Sequence, residues 1–344
     1  MPKNIGIKEL AKIANVSIGT IDRVIHNRPG VSEKTRSKVL AIIEEYNYKP
    51  NLLAKHLASR KQYKVAVLMP ASTANPVWEP YANGIIKASA DMDKFSVTVD
   101  YLSFDEYEEA SFDEVAEKAL TYDAVMMVPL FEARAHQLQE DLAAADKVCL
   151  SFDTNLPQED NRFFIGQHAF QAGRLCASLM NYAVPADKAL LLVNLGRKAG
   201  YHLNFWGREN GFRAFFEDAN APKRELLNYE GPIEQADHLE LGLAKLLSEN
   251  PNIGGIFVPN SRVYWVARIL EQLKRNDLIL LGFDLIPENT VFLQKGTIDF
   301  LINQHPEAQA YRGVEWLMQR LVFAERGEPK TTPIDVVMRE NLEK

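Results

Sequence analysis

Near the N-terminus of this 344-residue chain, Ser17, Ile18, Gly19, Thr20, Asp22 and Arg23 follow the segment Ala14-Asn15-Val16. These residue types can meet DNA. The planar fork of Arg23 matches the O6 and N7 acceptors of guanine. Ser17 and Thr20 can hold phosphates, while Lys34, Arg36 and Lys38 can add backbone contacts that position without specifying. A second set lies at the ends of apolar runs: Asn75 with Trp78, Asp153, Trp206 with Arg208, Asn260, Asp284 and Gln304. Directed donors and acceptors beside aromatic platforms are what recognition of a polyhydroxyl ligand needs. Cys149 and Cys176 fit neither a metal knuckle nor a C-x-x-C pair, and read as buried free thiols in a reducing compartment.

The elements that must position these groups change character along the chain. Ile7, Leu10, Ala11 and Ala14 mark one helical face, and Asn15 breaks it. Ser17 can cap a second helix with Ile21, Val24 and Ile25 inward, so the two make a helix-turn-helix. After a loop at 26–30, Ser32 can cap a third helix with Val39, Leu40, Ile43 and Tyr46 inward. Pro50 stops it, Asn51 can cap a short helix from Leu52 to Ala58, and 59–64 is a polar linker. From Val65 onward, short apolar runs alternate with helical patterns, the signature of βαβ units and parallel sheets covered on both faces. That length suits two lobes. The carboxylates of Asp105–Glu117 read as a solvated helix face.

Charge separates the parts. Residues 1–64 hold 13 Lys or Arg and 5 Asp or Glu, about +8, and the remainder holds 26 and 41, about −15. A basic arm on an acidic body signals a polyanion partner. The sequence has no run of 18 apolar residues and no signal-peptide pattern, so neither a membrane span nor export is expected. It has no G-x-G-x-x-G after a strand, P-loop, G-x-S-x-G or H-E-x-x-H motif. Asp153 and Asp284 carry no spacing that marks a glycosidase pair. An exported solute-binding protein is the other rival, and the basic arm counts against it.

Residues 5–60 resemble the headpiece of the lactose-repressor (LacI/GalR) family in IKELAKIANVS, RVIHNRPGVSEKTRSKVL and YKPNLLAKHLASRK. The last piece resembles the family's hinge helix. The resemblance implies that Leu57, with Ala54 beside it, is a wedge for the minor groove at the operator centre. Two features depart from the pattern. Ile18 and Gly19 stand where the family places specificity side chains, so reading would rest on Arg23, a thymine methyl against Ile18, and DNA shape. Asp22 stands where a small hydroxyl residue is usual. The body resembles the type I periplasmic sugar-binding fold, with a cleft at the carboxyl ends of strands. Asn75-Pro76-Val77-Trp78 resembles the family's Asn-Pro-Phe-x loop, which implies a hydroxyl bond from Asn75 and sugar stacking on Trp78. Arg208 is the fork of an Arg-x-x-Gly-Phe signature, Asp153 offers a carboxylate, Trp206 precedes Arg208, and Asn260, Asp284 and Gln304 are implied ligand hydrogen-bonders. Gln167-His168 replace the usual Asp-Asn pair.

The expected architecture is a helical headpiece at 1–50, a hinge helix and linker at 51–64, and a two-lobed α/β body of parallel sheets at 65–344. The expected protein is a cytoplasmic repressor of carbohydrate-metabolism genes. It binds palindromic operator DNA as a homodimer under control of a small sugar or sugar derivative. No catalysis, cofactor, metal or membrane partner is expected. No heptad follows the strand-like run Ile334–Met338, so a tail-made tetramer is not expected.

Overall fold

The computed structural model describes residues 5–25, 27–46, 48, 61–73, 75–156, 163–196, 203–218, 222–231 and 236–342. The chain divides into two compact units, Met1–Lys61 and Gln62–Lys344.

The first unit is built on helices α1 (Ile7–Ala14), α2 (Ile18–Ile25) and α3 (Glu33–Glu45). Asn15 ends α1 in the left-handed region at φ 50°, a conformation Asn tolerates better than most residues. The Ser17 hydroxyl accepts from Thr20 N–H at 3.1 Å and Ser32 from Thr35 N–H at 3.3 Å, so both expected caps form. Leu10, Ala11, Ala14, Ile21, Val24 and Val39 make the core. The small side chains at 11 and 14 let α1 lie close to α2. Leu40 and Tyr46, expected inward, are exposed instead. On α3 the inward stripe runs through Val39, Ile42 and Ile43, and Leu40 is turned about 100° from Val39.

The second unit has two sheets. The first orders its strands β2 (Val97–Phe104), β1 (Tyr63–Pro70), β3 (Ala124–Met127), β4 (Val148–Phe152) and β5 (Phe164–Ile165), all parallel. Along β1, Val65, Val67 and Met69 pack under α4 (Glu79–Met92) and α12 (Pro306–Phe323). Ala66 and Leu68 pack under α5 (Glu109–Ala119) and α6 (Glu132–Ala144). Both faces are covered, which is why these strands are apolar without alternation. β1 begins at Tyr63, inside the stretch read as linker.

The second sheet runs β11 (Asp335–Val337), β10 (Phe300–Asn303), β9 (Ile279–Phe283), β8 (Ile253–Phe257), β6 (Ala189–Leu195) and β7 (Leu226–Gly231). Only β11 is antiparallel to its neighbour. One face packs on α7 (Ala169–Ala183) and α8 (Leu203–Glu217). The other packs on α9 (Ala236–Glu249), α10 (Val263–Leu273) and α11 (Pro287–Lys295).

The chain passes between the lobes after β5, after β10 and between α12 and β11. Gln167 fastens these passages together. Its buried Nε2 donates to Asn303 O and Pro333 O, each at 2.7 Å, and Thr332 N–H donates to Gly166 O at 2.9 Å. Of the pair that departs from the family pattern, Gln167 is thus a hinge tie, while His168 caps α7 by accepting from Gln171 N–H at 3.4 Å.

Candidate functional site

On the headpiece, Ser17, Ile18, Gly19 and Arg23 are exposed along α2, and Thr20 is half-buried. Lys8, Lys12 and Asn15 flank Ser17 and Ile18 in one surface depression. Ile18 is 44 % exposed, an apolar side chain open at the surface. Asp22 takes Arg28 Nη1 at 3.2 Å. Arg36 donates to Asn27 Oδ1 at 2.7 Å and to Arg28 O at 2.9 Å, so it shapes the loop after α2. Lys34 is exposed in the first turn of α3. Ala54 and Leu57 lie outside the described residues.

In the body, the carboxyl ends of both sheets face one narrow polar cleft that holds about 50 Å³ of free space. Asp153 follows β4 and Asp284 follows β9 in left-handed turns, at φ 61° and 71°. Such turns aim the side chain back over the strand end, and Asp tolerates them.

Arg208, Gln304 and Asp284 form a line through the second lobe. Arg208 Nη1 donates to Pro259 O at 2.9 Å and Nη2 to Gln304 Oε1 at 2.6 Å. Gln304 Nε2 donates to Asp284 Oδ1 at 2.7 Å, so the amide is a neutral spacer between cation and carboxylate. The guanidinium lies 3.8 Å over the Phe283 ring, and its buried Nε has no acceptor among the described residues. Burial pushes the Asp284 carboxyl up to about 6, with Asp153 adding to the rise, while Arg208 and the Gln304 bond oppose it. Burial likewise lowers Arg208 from its ordinary value, against the pull of Asp284 and Asp153.

Asp153 is the hub of the first lobe. It accepts from Tyr81 OH at 2.6 Å and Thr154 Oγ1 at 2.8 Å. Burial first, then the Asp153 charge, holds the Tyr81 phenol well above its usual range. Asn204, on α8 of the second lobe, donates to Asp153 O at 3.1 Å and Thr154 Oγ1 at 3.0 Å. Glu106 accepts from Asn75 Nδ2 at 3.1 Å and from Trp78 Nε1 at 3.2 Å. Trp78 is nearly buried and tilts against Tyr81, with centroids 5.4 Å apart.

Asn75, Trp78, Asp153, Arg208, Asp284 and Gln304 therefore meet in one lining. Two expected members do not. Asn260 is 1 % exposed and caps the turn before α10, donating to Leu195 O at 2.8 Å and accepting from Arg262 N–H at 3.0 Å. Trp206 is 60 % exposed on the outer side of α8. Asn204, Phe205 and Arg208 line the cleft, and helical rotation turns Trp206 about 200° from both Asn204 and Arg208. Sequence reasoning missed Tyr81, Glu106, Asn204 and Arg262. Helical spacing from Trp78 and Arg208 points to Tyr81 and Asn204. Glu106 was hidden among the carboxylates of a stretch read as solvated. Cys149 and Cys176 are buried free thiols in different lobes, and burial pushes Cys149 up to about 12. Among the described residues there is no metal-binding cluster and no helix long and apolar enough to cross a membrane.

A helix-turn-helix unit is thus joined to a two-lobed α/β body with a polar cleft. Residues 65–325 match the periplasmic binding protein domain, to whose family the chain belongs, and residues 6–51 match the lacI family of bacterial regulatory proteins. Catabolite control protein B of Bacillus subtilis (strain 168) is 41 % identical over 83 residues, which are 24 % of this chain and 26 % of that protein. The HTH-type transcriptional regulator DegA of the same organism is 28 % identical over 81 % of each chain. The chain spans only about a quarter of the length of the first curated relatives it matches. Among solved structures, a LacI transcriptional regulator from Bacteroides fragilis aligns with TM-score 0.73 and 24 % identity, covering 82 % of this chain and 98 % of the other. GanP, a glucose-galactose binding protein from Geobacillus stearothermophilus, aligns with TM-score 0.69 and 20 % identity over 82 % and 99 %. These likenesses establish the fold.

Proposed function

We propose that this protein is a cytoplasmic, sequence-specific repressor of carbohydrate-metabolism genes whose effector is a small uncharged sugar held in the cleft. The observation that carries the effector reading is how the charges in the lining are already used. Arg208 is bound to Pro259 O and Gln304, and Arg262 to Leu195 O and Tyr107 OH. Glu106, Asp153 and Asp284 offer carboxylate oxygens to the same space. A lining rich in acceptors, in which the terminal guanidinium nitrogens of both arginines are bonded to protein oxygens, suits hydroxyl donors and disfavours phosphate or carboxylate ligands. Asn75, Asp153, Asp284 and Gln304 would take hydroxyls, with Trp78 and Arg208 shaping the pocket wall. In a thermal-shift screen, a neutral sugar should stabilise the protein by roughly 2.7 kcal/mol at 100 times its dissociation constant. Stabilisation by sugar acids or sugar phosphates alone would reverse the effector assignment.

On DNA, two copies would sit on the half-sites of a palindrome, since operator symmetry mirrors protein symmetry. Arg23 would read guanine, Ile18 a thymine methyl, and Ser17, Thr20, Lys34 and Arg36 the phosphates. Ala54 and Leu57 would form the minor-groove wedge. Arg23→Ala is expected to weaken operator binding by roughly 1–3 kcal/mol per half-site and to relax base preference. Fluorescence anisotropy on an operator and on its point-mutated form checks this, and unchanged discrimination between the two would remove Arg23 from the reading role.

A further inference from the structure

The loop after β2 faces two ways in function. Glu106 receives Asn75 and Trp78 within the cleft. The next residue, Tyr107, receives Arg262 Nη2 on its hydroxyl at 3.2 Å. Tyr107 belongs to the first lobe and Arg262 to the second, so this bond spans the cleft at its lining. Both ends are pre-positioned by their own lobes. Arg262 Nη1 donates to Leu195 O at 3.0 Å, and Asn260 fixes the same turn through Leu195 O and Arg262 N–H. Tyr107 N–H donates to Asp105 Oδ1 at 2.8 Å, and Asp105 N–H to Ser111 Oγ at 2.8 Å. A side chain merely draped across the gap would not be anchored on each side by a capped turn.

We propose that Arg262 and Tyr107 form an interlobe latch that sets the balance between closed and open cleft through protein contacts alone. Its regulatory meaning rests on the effector reading above, because closure governs entry to that site. The cation is presented by a turn that Asn260 builds, which gives this buried, non-lining residue a positioning role. Charge-assisted hydrogen bonds are the stronger class, and both partners are half-buried, so loss of the bond should shift the closed-to-open ratio about tenfold.

The test needs neither effector nor DNA. Spin labels are placed on the full chain at the exposed positions Glu117→Cys on α5 and Lys245→Cys on α9. The two native thiols are buried and leave the labelling to the new ones. Pulsed electron resonance then reads the interlobe distance distribution. Tyr107→Phe, which removes only the hydroxyl, and Arg262→Gln should each enlarge the long-distance population about tenfold, and the double variant should add nothing further. The unfolding free energy of Tyr107→Phe should fall by no more than about 1.4 kcal/mol, the same tenfold ratio converted, and a larger fall would mark a general packing role instead of a latch. A distance distribution unmoved by Tyr107→Phe, or additive effects in the double variant, would overturn the latch while leaving the effector assignment standing.

Discussion

An Arg208→Met protein is expected to lose about 3–5 kcal/mol of unfolding free energy at pH 7, together with its response to effector. Arg208 is 3 % exposed, so its removal leaves Pro259 O and Gln304 Oε1 without donors and Asp284 without its cation. Methionine keeps roughly the length and the contact with Phe283, so the loss isolates the charge and the hydrogen bonds. The variant also makes a pH-dependent claim. Burial holds the folded Asp284 carboxyl at about 6 even with Arg208 opposing, above the unfolded value of about 3.9. A raised carboxyl contributes stability that is fully present below pH 4 and lost as pH rises through 6. Without Arg208 the carboxyl rises further, and the loss becomes larger and extends to higher pH. The gap between parent and variant should therefore be narrowest near pH 4 and widen toward pH 8 in urea unfolding. A gap of constant size would mean that Arg208 does not support Asp284.

The second large effect comes from a glycine. A Cβ on Gly173 of α7 would stand 1.9 Å from the carbonyl oxygen of Arg208 on α8, and a Cβ on Gly211 would stand 1.9 Å from Phe170 O. The two helices touch backbone to backbone there, and no rotamer can relieve a clash with a carbonyl. Gly173→Ala should exceed the usual overpacking loss of about 1–3 kcal/mol, and Gly173→Leu should fail to give a folded second lobe. The contact also sets the root of Arg208, so a tolerated variant would misplace its guanidinium. Gly19 is the contrasting case, with only Ser17 Oγ within reach at 3.7 Å. Gly19→Ala should stabilise the headpiece by up to about 1 kcal/mol through helix propensity. Thermal melts of purified variants decide the matter, and a Gly173→Ala melt coincident with the parent would show that the helices are not in contact.

Much of this was legible in the sequence because burial on both faces writes itself as unbroken apolar runs. Val65 to Met69 and Ala189 to Val193 announce central strands, and β1 and β6 form there. β7 was not announced. It is an edge strand whose side chains are largely half-exposed or exposed, so Asn228 and Glu230 interrupt the apolar pattern. The cleft was half legible. Residues at strand ends, such as Asp153 and Asp284, are placed by topology, which the run pattern reveals. Residues on helices depend on rotational phase, which a motif match does not carry, and so Trp206 was misplaced and Asn204 overlooked. Glu106 and Arg262 belong to loops, where only tertiary contacts say which charges turn inward.

The return of α12 to the first lobe has a consequence for how the protein is made. The sheet face that carries Val65, Val67 and Met69 is closed in part by Ala310, Val314, Leu317 and Met318, which leave the ribosome long after the strands they cover. Phe152, at the end of β4, is followed by 171 residues (323 less 152) before α12 is complete at Phe323. At 5–20 residues per second this is a wait of roughly 10–30 s. By contrast, β6 to β10 and helices α7 to α11 are all made by Asn303. Only the edge strand β11 of the second lobe is made after α12, so the lobe translated first waits behind nearly all of the second for its cover. During elongation its half-covered apolar sheet is the surface that a nascent-chain chaperone would meet.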